Sequence, residues 1–175
     1  MPYRFVDLTL TVDPKDTYVQ FPRDEIYGKP APGTTIIPIA QLDVDHICNF
    51  EFTTTTQSYT HYDAPYHFFH DGLKNNEVPL DHVCGDACVL KVPGKGNSEL
   101  VTAEDLEATG VEVHSGDIAI VSTEWTDRMW GSRDFWEHMI CLSTDAADWL
   151  IEKGIKAIVQ DFMTCDSPLY PPEER

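Results

Sequence analysis

The second half of the chain alternates signals for buried strands and helices, and this alternation limits the possible folds more than any other feature. Residues 117–123 (DIAIVST) form a nearly continuous apolar run, as expected of a strand buried on both faces of a sheet. Ser143 or Thr144 can cap a helix over the sequence DAADWLIEK, which ends at Gly154. Residues 155–159 supply another apolar strand. The pattern predicts helices packed on a sheet.

The first half is dominated by strand signals. Four segments rich in β-branched or alternating apolar residues predict strands, at residues 3–12, 34–42, 47–56 and 87–92. Thr102 is expected to cap a short acidic helix, with Asp105 as its capping-box partner and Gly110 as its end. The order of elements predicts a mixed α/β fold with a β-rich first half. A length of 175 residues predicts a single domain over residues 1–175, because a domain commonly holds roughly 150 residues.

Charge and composition exclude several classes of partner. The chain carries 12 basic and 30 acidic residues, which gives a net charge of −18. Such a field repels phosphate backbones and anionic lipids, so we predict neither a nucleic-acid nor a membrane partner. No apolar run approaches the roughly 20 residues of a transmembrane helix. The first residues, MPYRFVDLTLTV, lack the pattern of a secretion signal.

The cysteine content predicts a reducing compartment. The chain has 5 cysteines, an odd number, and without a secretion signal this indicates reduced thiols and a cytoplasmic location. Cys84 and Cys88 have a spacing that metal sites tolerate, but no second Cys/His pair follows them to complete a structural zinc site. We therefore expect this pair to open a buried strand.

Residues 60–70 (THYDAPYHFFH) form a histidine-rich segment with the clearest sign of chemistry. His61 and Asp63 are two residues apart and would project to the same face of an extended backbone. Pro65 disfavours helix in the residue before it, so the segment bends and His67 follows the bend. Imidazole and carboxylate ligands suit zinc, manganese or iron, and a histidine beside a metal suits acid–base chemistry near neutral pH. The alternative is a set of hydrogen-bonding surface histidines.

The same segment resembles a known signature. Residues 60–68 (THYDAPYHF) are similar to the H-x-G-T-H-x-D-x-P-x-H-F motif of the metal-dependent cyclase family, which includes bacterial kynurenine formamidases and isatin hydrolases. Weaker similarities occur at residues 6–9, 21–24, 116–125 and 142–161. The resemblance implies a swivelling β/β/α-type domain, usually a homo-oligomer, with a divalent metal ion, zinc or manganese, as its cofactor and a small molecule as its substrate.

The resemblance also implies roles for individual residues. His61 matches a histidine that binds the first metal, and Asp63 matches a carboxylate that binds one metal or bridges two. His67 matches a histidine that accepts and donates a proton in catalysis. Phe21 falls near an aromatic residue that packs against the substrate. Four aromatic residues could form an apolar substrate wall or could equally belong to the core: Phe21, Tyr59, Tyr66 and Phe68.

Two positions depart from the family pattern. The first histidine of the motif falls on Gln57, whose amide oxygen is a weaker zinc ligand than imidazole, and its glycine falls on Tyr59. The family also uses a later histidine and a glutamate, whereas this chain has no histidine after His138 and ends at Arg175. Three explanations stay open: the sequence is truncated, the site is incomplete, or other residues complete it.

These observations lead to two hypotheses of function. The first is a metal-dependent hydrolase of a C–N amide or lactam bond in a small molecule, with metal ligands at His61, Asp63 and Gln57 and with His67 as the catalytic acid–base group. The second is a non-catalytic metal- or ligand-binding relative that keeps the fold with an incomplete metal site.

Overall fold

The computed structural model of the chain describes residues 4–14 and 34–166. The chain divides into two compact units, Met1–Asp63 and Ala64–Arg175. Among the described residues, no helix has both the length and the apolar character that crossing a bilayer requires.

The first unit is built on an antiparallel pair of strands. Strand β1 (Thr35–Ala40) and strand β2 (Asn49–Thr53) are joined through a short helix, α1 (Leu42–Asp45). Both strands were predicted from their β-branched and aromatic residues, and both are confirmed. The predicted strand over residues 3–12 is wrong for residues 4–12, which form no helix or strand. The Asp7 carboxylate there accepts a hydrogen bond from the Thr9 amide at 2.9 Å, a local bond that competes with strand pairing.

The second unit contains two parallel sheets. Its strands are β3 (Ala87–Lys91), β4 (Leu100–Val101), β5 (Ile118–Ser122), β6 (Cys141–Leu142) and β7 (Ala157–Gln160). Strands β3, β5 and β7 form one parallel sheet with β5 in the middle, and β4 pairs with β6 in parallel. The apolar run at 117–123 therefore forms the central strand, which explains its lack of alternation. Ala119 and Val121 of this strand are fully buried.

Two of the four helices described in the second unit lie where the sequence predicts them, within about two residues at their ends. They are α2 (Ala103–Ala108), α3 (Trp125–Met129), α4 (Asp134–Glu137) and α5 (Thr144–Lys153), with 3₁₀ turns at Pro65–His67 and Leu80–His82. Thr102 and Asp105 form a complete capping box at the start of α2. The Ser143 hydroxyl caps α5, and Gly154 ends it in the left-handed conformation. The short helices α1, α3 and α4 were not predicted, because so few residues carry no periodic pattern.

The core of the second unit lies around the central strand. Its fully buried apolar side chains include Leu90, Val101, Ala119, Val121 and Ile140. Helices α2 and α5 contact each other, and the Trp149 indole donates a hydrogen bond to Glu107 Oε1 at 3.0 Å. Helices and strands in both units confirm the predicted mixed α/β class.

Candidate metal site and catalytic histidine

Three side chains that the sequence predicts as metal ligands meet in the first unit. Gln57 Nε2 donates a hydrogen bond to Asp63 Oδ1 at 2.7 Å, and His61 Nε2 lies 3.0 Å from Gln57 Oε1. His61 Nε2 is also 3.6 Å from Asp63 Oδ1. We call Gln57, His61 and Asp63 the ligand cluster. Its His61 and Asp63 side chains are 27% and 38% exposed, so an ion can reach them from solvent.

A left-handed turn at Tyr59 positions the imidazole of the cluster. Tyr59 has φ +57°, a conformation that glycine adopts freely and that strains other residues. This is the position where the family motif has glycine. The Tyr59 hydroxyl donates a hydrogen bond to the Asp13 carbonyl at 2.9 Å, and the Thr60 hydroxyl accepts one from the Leu10 amide at 3.0 Å. These contacts tie residues 59 and 60 to the first residues of the unit.

The backbone of Tyr59 also sets the tautomer of His61. His61 Nδ1 lies 2.8 Å from the Tyr59 carbonyl oxygen. A carbonyl can only accept, so Nδ1 carries a proton and donates it. In the neutral ring the lone pair is then on Nε2, which faces Gln57 Oε1 and Asp63 Oδ1. Metal-binding histidines are commonly held this way, with the second nitrogen bonded to a backbone carbonyl.

The ligand cluster has the donor set of a cation site. A lone pair on His61 Nε2 and two oxygen acceptors repel one another unless a proton or a cation lies between them. Rotating the Gln57 amide by about 180° would remove the repulsion between Gln57 Oε1 and the His61 lone pair. It would, however, place Oε1 against the Asp63 carboxylate. Two ligands about 2.1 Å from one ion lie about 3.0 to 3.4 Å apart at octahedral to tetrahedral angles. The observed separations of 3.0 and 3.6 Å are close to this range, so the residues fit a divalent ion.

His67 lies in the second unit, on the 3₁₀ turn Pro65–His67. The His67 amide donates to the Ala64 carbonyl at 2.8 Å, and its ring meets the edge of Phe68 with centroids 4.5 Å apart. The imidazole is exposed. Pro65 begins this turn, where its fixed φ is favourable and its missing amide proton costs nothing. The predicted bend at Pro65 is therefore confirmed.

The turn that carries His67 is braced by the segment that follows it. The Tyr66 amide donates to the Leu73 carbonyl at 3.0 Å. Gly72 approaches the turn so closely that an added Cβ would lie 2.5 Å from the carbonyl carbon of Pro65. The sequence indicates only a turn at residues 71–72. It contains no signal for this contact, since the contact depends on how the chain folds back.

The aromatic candidates for a substrate wall lie in different surroundings. Phe21 lies outside the described residues. The Tyr59 hydroxyl is bonded within the first unit, as described above. Tyr66 and Phe68 are 49% and 69% exposed, so the alternative that they belong to the core is wrong. Their exposure leaves a role in binding open.

A second group of ligand-type side chains lies on helix α4 and at its C-cap. Asp134, Glu137 and His138 each offer a ligand atom within 4.8 Å of the others. Glu137 also pairs with Arg133. Sequence spacing alone gives no sign of this group, because it does not show that the segment is helical. Exposed carboxylates often cluster without an ion, so the group needs a control in any metal-binding experiment.

Asp161 ties together the carboxyl ends of β5 and β7. Its carboxylate accepts hydrogen bonds from the Thr123 amide at 2.8 Å, the Thr123 hydroxyl at 2.7 Å and the Glu124 amide at 2.7 Å. Glu124 has φ +60°, and these bonds hold it in that conformation. Ligand sites of open parallel sheets form at this edge. The sequence alone predicts no role for Asp161, which only ends the weak family similarity at residues 142–161.

Two curated proteins are similar in sequence to part of the chain. A kynurenine formamidase of Erythrobacter litoralis is 30% identical over 125 residues, which is 70% of this chain and 50% of that protein. An uncharacterized protein of Haemophilus influenzae is 51% identical over 49 residues, covering 27% of this chain and 34% of that protein. The chain thus spans between a third and a half of the length of these curated relatives.

Solved structures share the fold. Isatin hydrolase A from Labrenzia aggregata, bound to benzyl benzoate, superposes with a TM-score of 0.76 at 20% identity, over 94% of this chain and 70% of that one. An isatin hydrolase bound to the product analogue thioisatinate gives a TM-score of 0.74 at 24% identity, over 93% and 68%. A family model described as "Cyclase: Putative cyclase" matches residues 6–167, and the chain therefore belongs to this cyclase family.

Proposed function

We propose that the protein is a metal-dependent hydrolase that cleaves a C–N amide or lactam bond in a small aromatic molecule. The observation that carries the proposal is the ligand cluster, whose nitrogen lone pair and two oxygens converge as a cation site requires. The relative named as a kynurenine formamidase and the similarity to isatin hydrolases support it. They also favour the enzyme over a non-catalytic relative.

In this mechanism the ligand cluster would hold a divalent ion, zinc or manganese. Such an ion supplies Lewis-acid polarisation of the amide carbonyl and makes water more acidic. The Tyr59 carbonyl keeps the His61 lone pair on Nε2, and Asp63 contributes the negative charge. His67 accepts the proton from the attacking water and transfers it to the leaving nitrogen as the C–N bond breaks. A linear amide gives a carboxylic acid and an amine, and a lactam gives a single ring-opened product that carries both groups.

Three variants test the proposal. Activity is followed by absorbance on N-formyl aromatic amines and on isatin, with bound metal measured by elemental analysis. Asp63→Ala should lose metal and turnover together. His67→Ala should keep its metal and lose about 10² to 10⁴ in kcat, as expected for a proton-transfer residue. His70→Ala is the matched control, since His70 is an exposed histidine three residues further on.

Two outcomes would contradict this assignment of roles. If His67→Ala loses metal together with activity, His67 is a ligand and not the acid–base group. If metal-loaded wild-type protein cleaves neither class of substrate, the hydrolase proposal fails.

The single domain over residues 1–175 also stays a proposal, which is supported by a family match that extends through both compact units.

We also propose that the protein is a homo-oligomer. A two-stranded sheet is at best marginally stable without apolar cover, and β1 and β2 expose large apolar side chains. Ile37, Ile39, Phe50 and Phe52 are each between 50% and 60% exposed. A second copy of the chain that covers these four side chains would explain why they are apolar. Light scattering coupled to size exclusion should give a multiple of 19.8 kDa, and Ile39→Lys should shift the protein toward the monomer.

A cytoplasmic location is proposed as well. It is supported by the odd number of cysteines and by the free thiols of Cys48, Cys84 and Cys88. Cell fractionation with an antibody against the protein tests it, and recovery in a secreted fraction would refute it.

A further inference from the structure

The ligand cluster differs from an imidazole-rich site in one donor atom. Gln57 stands where the family motif has its first histidine, and its Oε1 lies 3.0 Å from His61 Nε2. The cluster therefore offers one nitrogen and two kinds of oxygen, from an amide and a carboxylate. Oxygen ligands suit manganese and magnesium, whereas imidazole suits zinc, copper and nickel.

The two ends of the Gln57 amide have different partners. Nε2 donates to Asp63 Oδ1 at 2.7 Å, which fixes the carboxylate. This bond leaves Oε1 as the end of the amide that faces His61 Nε2. An amide nitrogen is no metal ligand, so the hydrogen bond to Asp63 determines that residue 57 presents oxygen.

We propose that Gln57 sets the metal preference of the ligand cluster. With glutamine at position 57, the cluster prefers zinc over manganese less strongly than it would with histidine there. The inference rests on the proposed function in that it assumes an ion at the cluster, but it concerns which ion binds and not which bond is cleaved. Zinc exceeds manganese in affinity for nearly any site of this kind. The measured quantity is therefore the ratio of the two dissociation constants.

The experiment measures metal affinity and requires no turnover. Protein is stripped with chelator, and Zn²⁺ is titrated in competition with a chelating dye. Mn²⁺ is titrated by the electron paramagnetic resonance signal of the free ion. Gln57→His should raise the ratio of the Mn²⁺ to the Zn²⁺ dissociation constant by about ten-fold or more relative to wild type.

A matched variant separates the donor atom from the lost hydrogen bond. Gln57→Glu also removes the amide that donates to Asp63, but it keeps an oxygen at the same position. Its ratio should stay within about three-fold of the wild-type ratio, even if both affinities rise with the added charge. His138→Gln serves as a second control, because it disrupts the group on helix α4 and should leave the ratio unchanged.

The outcomes are decisive in both directions. An equal ratio in wild type and Gln57→His overturns the inference, as does a shift in Gln57→Glu as large as that in Gln57→His. Metal binding that disappears in His138→Gln and persists in Asp63→Ala also overturns it, because the ion is then bound at α4. A shifted ratio in a protein that cleaves neither amide nor lactam would refute only the proposed hydrolase activity.

Discussion

Replacing Gly72 with alanine should displace the turn that carries His67. An added Cβ would lie 2.5 Å from the Pro65 carbonyl carbon, 2.7 Å from the Pro65 carbonyl oxygen and 2.7 Å from the Tyr66 amide nitrogen. All three atoms are backbone, so no side chain can rotate away. Carbon atoms pack best about 3.5 to 4.0 Å apart, and the two segments must therefore separate by roughly 1 Å.

Two effects of opposite sign determine the stability of Gly72→Ala. Overpacking a tight contact costs about 1 to 3 kcal/mol. Alanine also restricts the unfolded chain more than glycine, which stabilises the protein by about 0.4 to 1 kcal/mol. Gly72 is not in the left-handed region, so no further strain enters. The difference of these two ranges gives a net loss of about 0 to 2.6 kcal/mol, with a central value of about 1.3 kcal/mol.

Under the acid–base role proposed for His67, the effect of Gly72→Ala on kcat should exceed its effect on stability. A displacement of about 1 Å at a reacting group can lower the rate about 10²-fold. The assay compares kcat, KM and bound metal, with urea unfolding to measure stability.

Gly96→Ala is the matched control for this substitution. An added Cβ there would meet only the Glu99 side chain, at 3.6 Å, and Gly96 also avoids the left-handed region. This variant should be neutral or slightly stabilised, with unchanged kcat. Equal stability and equal kcat in both glycine variants would refute the reasoning, because the close approach of Gly72 would then have no consequence.

Three further predictions concern the rest of the second unit. Thr102→Ala removes the capping box of α2 and should cost about 1 kcal/mol in urea unfolding. Burial acts to raise the pKa of Asp105, but hydrogen bonds from Lys95 and Thr102 outweigh it and hold the pKa below its ordinary value of 3.8. The stabilisation is present above pH 3.8 and is lost as the pH falls through the folded-state pKa, so Asp105→Asn should flatten the acid limb of a stability–pH curve. Burial raises the pKa of the Cys88 thiol, whereas Cys84 is exposed, so mass spectrometry after iodoacetamide treatment at pH 7 should show Cys84 labelled before Cys88.

The sequence by itself determined the features that depend on near neighbours. The apolar run at 117–123, the cap at Ser143 and the stop at Gly154 each act within a few residues, and each has its predicted role. The resemblance of residues 60–68 to the cyclase motif likewise led to the correct family. Local patterns failed at residues 4–12, where alternation occurs without a paired strand, since a strand exists only when another segment completes its hydrogen bonds.

Only the tertiary structure decided how the candidate site is oriented. Motif spacing places His61 and Asp63 near each other, but the proton on His61 Nδ1 depends on a left-handed Tyr59, whose side chain is bonded to Asp13. The direction of the Gln57 amide likewise depends on its contact with Asp63, six residues further on. The close approach of Gly72 to Pro65 likewise depends on how the folded chain brings residues 65 and 72 together. Each of these features depends on a contact whose geometry exists only after the chain has folded back on itself. Local sequence propensity therefore cannot predict it.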